Sequence, residues 1–315
     1  MTETWQERAK AILTQTEQPI LIGPYRQELG TEILYWIPFV RKLLEQYKVD
    51  LRRVHVASRG GAGVYYGIPT GYELYRVRSL KEIRTANVLD FAQAKTLKQQ
   101  QLTSFDAELI SLIELEARQK FAILHPGLLY DALGDVWRER APLGVLSDAM
   151  RFTKLPLPPL PAGLSLPEAF TVVRFYSRHT LPHTGQIAHW VRGTVRRLAA
   201  RGPVVVLEPP DVTDDHYNFR SLDDKNIWHL GKELALDESL AVQGAIIGRA
   251  QRYVGTYGGM QQLALLLGVP SVGYYARFDG TMPIHLDVSG RLARALGVSW
   301  QVLKLDDEDH LRAVI

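Results

Sequence analysis

The sequence predicts an α/β protein built from two doubly wound, Rossmann-like domains facing across a cleft, and three observations carry that prediction. Short β-branched runs alternate with amphipathic helical patterns along the whole chain, which favours parallel sheets covered on both faces. A proline-crowded segment, Leu155 to Pro167, interrupts this rhythm near the middle of the 315 residues. Towards the C-terminus, Arg252 to Tyr275 reads as strand, glycine turn, helix and second strand. That unit binds nucleotides and sugar phosphates in open α/β sheets.

In the first half, Pro19 to Ile22 forms a short buried strand ending at Gly23-Pro24. Ile33, Ile37, Val40, Leu44 and Tyr47 recur at helical spacing, with Pro38 inside the pattern. Proline removes an N–H donor, so this helix either kinks there or begins near Ile37. Arg53 to Ala57 is the next strand, followed by the loop Ser58 to Gly63. Ser104 to Lys120 reads as a helix, Phe121 to Leu124 as a strand and Leu129 to Arg138 as a helix. Pro156, Pro158, Pro159, Pro161 and Pro167 then make a semi-rigid connector. Residues 1–154 form an N-terminal domain, 155–167 the linker and 168–315 a C-terminal domain. In the latter, Phe170 to Phe175, Pro203 to Leu207 and Ile227 to Leu230 are strands, with helices over Gly185 to Ala200 and Leu240 to Ala250. A helix near Leu292 and a strand from Trp300 to Leu305 follow the glycine unit.

Composition narrows the function. Hydrophobic residues make up 46% and charged ones 23%, which is ordinary for a globular protein. The formal charge of +3 is small, and Lys and Arg are dispersed where a nucleic-acid surface would cluster them. The absence of cysteine removes thiolate metal sites, disulfides and thiol nucleophiles. No apolar run approaches the ~20 residues of a membrane span. The N-terminus lacks the basic-then-apolar order of a secretion signal, so a cytoplasmic location is expected, with peripheral membrane contact left open.

The leading candidate site is Gly255, Thr256, Tyr257, Gly258 and Gly259. Glycines ahead of a helix let a ligand approach free N–H groups, and Thr256 adds a hydroxyl. An ordinary tight turn accounts for the same residues equally well. Gly23 to Glu32 lies beyond the first strand, where open sheets place ligands, and contains Arg26, Glu28 and Glu32. For Glu28, a general base and a helix-start acid are both open; for Glu32 the helix-start reading is preferred. Arg174, at a strand end, suits bidentate phosphate binding, and Arg178 follows on the loop, although by composition alone a surface ion pair is the preferred reading of Arg174. His179 and His183 flank Pro182 with no nearby acid, so no metal site is expected there. The acidic runs Asp307-Glu308-Asp309, Asp214-Asp215 and Asp223-Asp224 read as solvated segments. Gly-x-Ser-x-Gly, the P-loop and a Gly-x-Gly-x-x-Gly after a strand are all absent.

Gly255-Thr256-Tyr257-Gly258-Gly259-Met260-Gln261, a Leu/Ala-rich helix and Leu267-Gly268-Val269-Pro270 together resemble the donor-binding turn of GT-B glycosyltransferases. The heptosyltransferase-like bacterial cell-surface enzymes resemble it most, although Thr256 and Gln261 stand where those carry Asp and His. The resemblance implies a GT-B fold and a glycosyltransferase working on a nucleotide-sugar donor and a saccharide or glycoconjugate acceptor. It implies Thr256, Tyr257, Gly258, Gly259, Met260, Gln261, Arg174 and Arg178 around the donor, and Glu28 as base with Arg26 and Glu32 on the acceptor side. Transfer would invert configuration, without metal or resident cofactor, in surface polysaccharide or glycoconjugate synthesis. A sugar-nucleotide 2-epimerase and a non-catalytic binding module are the alternatives.

Overall fold

The computed structural model describes residues 3–15, 17–94, 99–208, 217–219, 224–231, 234–278 and 282–305. The chain divides into two compact units, Met1–Pro156 with Leu236–Ala241, and Leu157–Ala235 with Val242–Ile315.

In the first unit, β1 (Ile20–Ile22), β2 (Val54–Ser58), β3 (Gly71–Glu73) and β4 (Ala122–Leu124) form one sheet. Its order is β3-β2-β1-β4, with every pair parallel. β1 is apolar throughout and fully buried, as a strand covered on both faces must be. Leu21 and Ala57 pack with Leu74, Ile83, Leu109, Ile113 and Phe121. The helix after β1 has three parts: Leu29–Thr31, a π-helical turn Glu32–Trp36, and an α-helix Ile37–Gln46. Pro38 is the physical reason for the change of winding. It has no N–H to continue the ladder, and the Ile37 N–H reaches back to the Glu32 carbonyl.

Residues 236–241 belong to this unit although the sequence places them in the second half. The N–H groups of Leu240 and Ala241 donate to the Gly60 carbonyl at 2.8 and 3.1 Å. The Tyr65 hydroxyl donates to the Leu240 carbonyl at 2.8 Å. Gly61 has φ +76°, and a Cβ there would lie 2.7 Å from Ala241 Cβ, so only glycine seats this segment. From the other side, the Glu73 carboxylate accepts the Gly60 and Gly61 N–H groups, each at 2.8 Å.

The second unit contains β5 (Thr171–Arg174), β6 (Tyr176–Ser177), β7 (Val204–Leu207), β8 (Tyr217–Asn218), β9 (Ile227–Leu230), β10 (Arg252–Thr256), β11 (Ser271–Tyr275) and β12 (Trp300–Lys304). Six of them form a parallel sheet in the order β12-β11-β10-β5-β7-β9, while β6 and β8 make a small antiparallel pair. Counted in chain order, that is the doubly wound 3-2-1-4-5-6 arrangement of dinucleotide-binding folds. Val173, Val204, Val206 and Val254 form the buried core with Trp190, Val191, Val195 and Leu198 of the helix Gly185–Ala199.

Among the elements outside the sequence expectation are the helices Trp5–Thr14 and Leu80–Ala94, and the strand β3. The second helix leaves Val88 and Leu89 66% and 54% exposed, which blurs the apolar periodicity that reveals a helix. β3 is a three-residue edge strand, too short to show alternation.

The sheet order reverses between β5 and β10, where Gly255 lies opposite Arg174. A Cβ on Gly255 would sit 2.1 Å from the Arg174 carbonyl oxygen and 2.6 Å from the Tyr253 hydroxyl. Gly255→Ala is therefore expected to cost about 1–3 kcal/mol, the range for overpacking a core, measured as a lowered urea midpoint at unchanged m-value.

Candidate active site

Ligands of open α/β sheets bind beyond the carboxyl ends of the strands, where strand order reverses. In the second unit that point lies past Arg174 of β5 and Thr256 of β10. Arg174 is buried, and its Nη1 donates to Gln243 Oε1 at 2.7 Å. Its guanidinium carbon lies 5.5 Å from the centre of the Tyr176 ring, in cation–π range. Tyr176 is fixed in turn by Thr256, whose Oγ1 accepts the Tyr176 N–H at 2.9 Å and donates to the Tyr176 carbonyl at 2.8 Å.

The helix Gly259–Leu266 begins at the same place. Gly258 precedes it at φ +153° and ψ −156°, a region open essentially to glycine. A Cβ on Gly258 would lie 2.5 Å from the Tyr176 hydroxyl and 3.9 Å from Arg178 Nη1. Phenol, guanidinium and helix start thus converge at one point. The Gln262 N–H closes the first helical bond, to the Gly258 carbonyl at 3.0 Å, so the amides of Gly259, Met260 and Gln261 precede the ladder. Gly259 is partly exposed, while Tyr257, Gly258 and Met260 are buried.

This geometry corrects part of the sequence expectation. The Thr256 hydroxyl joins β10 to β6 rather than facing a phosphate, because both of its hydrogen-bonding roles are filled by the Tyr176 backbone. Gln261 is wholly buried, and its amide donates to the Gln301 carbonyl at 2.7 Å. It lies over Gly273, where a Cβ would come within 1.9 Å of Gln261 Oε1. The Met260 side chain is core, and the Tyr257 ring meets Tyr275 edge-on at 6.5 Å. The surviving candidates for ligand contact are Arg174, Arg178 and the Gly258–Gly259 backbone, joined by Tyr176. Nothing in local spacing marks Tyr176 or Gln243. Only their position beside Arg174 in the fold reveals them.

In the first unit the order reverses between β1 and β4. Gly23 follows β1 at φ +116°, with a would-be Cβ 2.4 Å from the Ala57 carbonyl oxygen. Arg26, expected on the acceptor side, is turned inward and 1% exposed. Its Nε donates to Asp106 Oδ1 at 2.7 Å, and its terminal nitrogens bond Asn87 and Asp90. Glu32 is also inward and fully buried, where it accepts from Ser58 Oγ at 2.5 Å, Arg59 Nη1 at 2.8 Å and the Tyr66 hydroxyl at 2.8 Å. The helix-start role expected for Glu32 gives way to this buried network, because three donors already face its carboxylate.

Glu28 differs from both. It is only partly buried and precedes the short helix Leu29–Thr31 without a side-chain capping bond. The Tyr25 hydroxyl donates to its carbonyl at 3.2 Å. The Tyr130 hydroxyl donates to Gln27 Oε1 at 3.3 Å. Burial first, and then the nearby Glu28 charge, push the Tyr130 phenol above its ordinary range. His125, just past β4, lies 3.4 Å from Asp106 and accepts the Gly127 N–H on Nδ1 at 3.0 Å. Both ring nitrogens therefore face inward partners, which makes His125 an anchor for the loop. His183 stacks on Phe219 at 5.1 Å. Asp223 and the runs Asp214-Asp215 and Asp307-Glu308-Asp309 lie outside the described residues. Among the described residues, no group of three or more His, Cys, Asp or Glu side chains is arranged to hold a metal ion.

Two parallel, doubly wound units with these strand orders define the GT-B type of α/β fold. Escherichia coli ADP-heptose LPS heptosyltransferase II shares it at a TM-score of 0.51 and 12% identity, over 94% of this chain and 95% of that one. E. coli heptosyltransferase WaaC, solved with ADP, matches at 0.45 and 13%, over 90% and 92%. A Listeria monocytogenes structure described as a putative UDP-N-acetylglucosamine 2-epimerase matches at 0.40 and 14%, over 89% and 87%. No family model and no curated protein sequence matches the chain. At these identities the likeness is one of fold.

Burial opposes the charge on Asp106, but His125 and Arg26 together outweigh it and hold this carboxyl below its ordinary range. Removing the charge leaves a buried guanidinium undercompensated, so Asp106→Asn is expected to cost about 3–5 kcal/mol near pH 7. A depressed carboxylate stabilises the fold fully above its unfolded value near pH ~4 and loses that contribution as pH falls through the folded one. The stability gap between wild type and Asp106→Asn, followed by urea denaturation from pH 7 to pH 2, should narrow only at the acid end.

Proposed function

We propose that this chain is a glycosyltransferase that moves a sugar from a nucleotide-sugar donor to an acceptor hydroxyl. One observation carries the reading. At the strand-order reversal of a doubly wound sheet, the Tyr176 hydroxyl and Arg178 meet Gly258 ahead of the helix Gly259–Leu266, and Arg174 lies over the Tyr176 ring. Guanidinium groups and a helix N-terminus both favour the oxygens of a diphosphate. In this reading the second unit takes the donor and the first takes the acceptor.

The chemistry follows from the groups present. Glu28 accepts the proton of the acceptor hydroxyl, whose oxygen attacks the anomeric carbon. The bond from that carbon to the diphosphate oxygen breaks, and the nucleoside diphosphate leaves with the electron pair. Arg174, Arg178 and the start of the helix Gly259–Leu266 offset the charge that develops on the leaving group. These cations supply the neutralisation that a metal ion provides in other transferases, so no step is assigned to a metal. Attack opposite the leaving group inverts the anomeric centre. Arg26 and Glu32 support this reading indirectly, by fixing the elements on either side of Glu28. We place the reaction in the synthesis of surface polysaccharide or glycoconjugate, in the cytoplasm, with contact at a membrane surface. Among the described residues no helix is long and apolar enough to cross a membrane.

The test is product analysis with purified protein and a panel of nucleotide sugars. A new glycosidic bond of inverted configuration supports the proposal; release of an isomerised nucleotide sugar without acceptor would assign epimerase chemistry instead. Glu28→Gln should keep nucleotide affinity and lose turnover by roughly 10²–10⁴-fold, the usual worth of a general base. Arg174→Ala should weaken nucleoside diphosphate binding by roughly 10–100-fold, as expected for a charged hydrogen bond. Full turnover in Glu28→Gln would remove that residue as the base.

A further inference from the structure

We infer that Gln243 is a positioning residue for anion recognition in the second unit, setting the direction of the Arg174 guanidinium through a hydrogen bond to an uncharged acceptor. The inference rests on the donor-site reading above and deepens it. Gln243 is 1% exposed and sits on the helix Ser239–Ile247. A helix leading into a parallel strand starts at the carboxyl end of the sheet, which places the first turns of this one at the ligand edge. Gln243 Oε1 accepts a hydrogen bond from Arg174 Nη1 at 2.7 Å, and the carbon of the same guanidinium lies over the Tyr176 ring, 5.5 Å from its centre. A guanidinium has a planar fork of five N–H donors, so fixing its plane and one donor fixes where the others aim.

The chemistry of the partner matters as much as its position. An amide oxygen orients the fork without bringing a formal negative charge. A carboxylate in that place, such as Arg59 meets in Glu32 at 2.8 Å, would subtract a charge from the group that faces the anion. A residue that merely fills space would show stability and ligand affinity changing together. A positioning amide separates them, because a carboxylate strengthens the internal pair while weakening the pull on an outside anion.

Wild type, Gln243→Leu and Gln243→Glu are compared for thermal midpoint and for ADP and UDP affinity by calorimetry, at low and at high salt. Gln243→Leu keeps volume but loses the acceptor, and should bind the nucleotide about 10-fold more weakly. Gln243→Glu should hold or raise the midpoint yet bind more weakly than Gln243→Leu, with the difference shrinking in high salt. Unchanged affinity in both variants, or loss of stability and affinity in parallel, would overturn the inference, as would failure of both variants to fold. If wild type itself binds neither ADP nor UDP, the donor-site reading fails instead.

Discussion

The second unit depends on one seam, the line along which β5 and β10 meet although some eighty residues separate them in the chain. Two features let it close. Gly255 presents no Cβ to the Arg174 carbonyl, and Thr256 bonds both the N–H and the carbonyl of Tyr176. Each such bond is worth only ~1 kcal/mol net, but leaving those buried backbone groups without partners would cost more. Closure of the seam fixes Tyr176, which in turn supports the Arg174 guanidinium and occupies the space that Gly258 leaves open. The candidate site is therefore the upper end of a packing solution, and its geometry inherits the rigidity of the sheet.

The first unit uses buried charge to a similar end. Arg26 ties its loop to Asp106 and Asp90, and Glu32 ties the π-helical turn to Ser58, Arg59 and Tyr66. Such pairs recover little net stability after desolvation. What they provide is direction, since each partner has few alternatives once buried. The loop from Gly23 to Glu28 is held between these two networks, and Glu28 is the acid in it that keeps contact with solvent. A π-helical turn is itself a rare winding, and such turns are frequent at functional sites. Here it lets Glu32 point inward while Ile37 starts a regular helix ahead of Pro38.

Much of the fold was legible because it is written in local patterns. The glycine unit, read as Arg252 to Tyr275, spans β10, the helix Gly259–Leu266 and β11. Strand–helix alternation conveyed two parallel sheets, because doubly buried strands read as nearly continuous apolar runs. The site was less legible. Arg174 and Arg178 stood out by their place at a strand end, whereas Thr256 and Gln261 looked available only because sequence cannot show which way a side chain turns. Gln243 and Tyr176 carried no signal at all. Their meaning arises from helix and strand ends brought together from about seventy residues apart. The return of Leu236–Ala241 to the first unit was hidden for the same reason, since Gly60 and Gly61 accommodate it through space.

These distinctions bear on what the glycine turn signifies. Gly255, Gly258 and Gly273 each have a neighbour of the protein's own within about 2.6 Å of a would-be Cβ, so packing within the protein favours glycine at all three. A turn of this composition consequently marks the fold before it marks a ligand. Arg174 is a different matter. An apolar side chain of similar volume would fill its place at lower desolvation cost, and nothing in the closure of the seam demands a guanidinium there. A cation kept buried at the carboxyl end of the sheet, oriented by an amide and backed by an aromatic ring, is chemistry that packing does not explain. The proposed recognition of an anion would account for it, and so the proposed function rests on Arg174 and its supports more firmly than on the glycines of the turn.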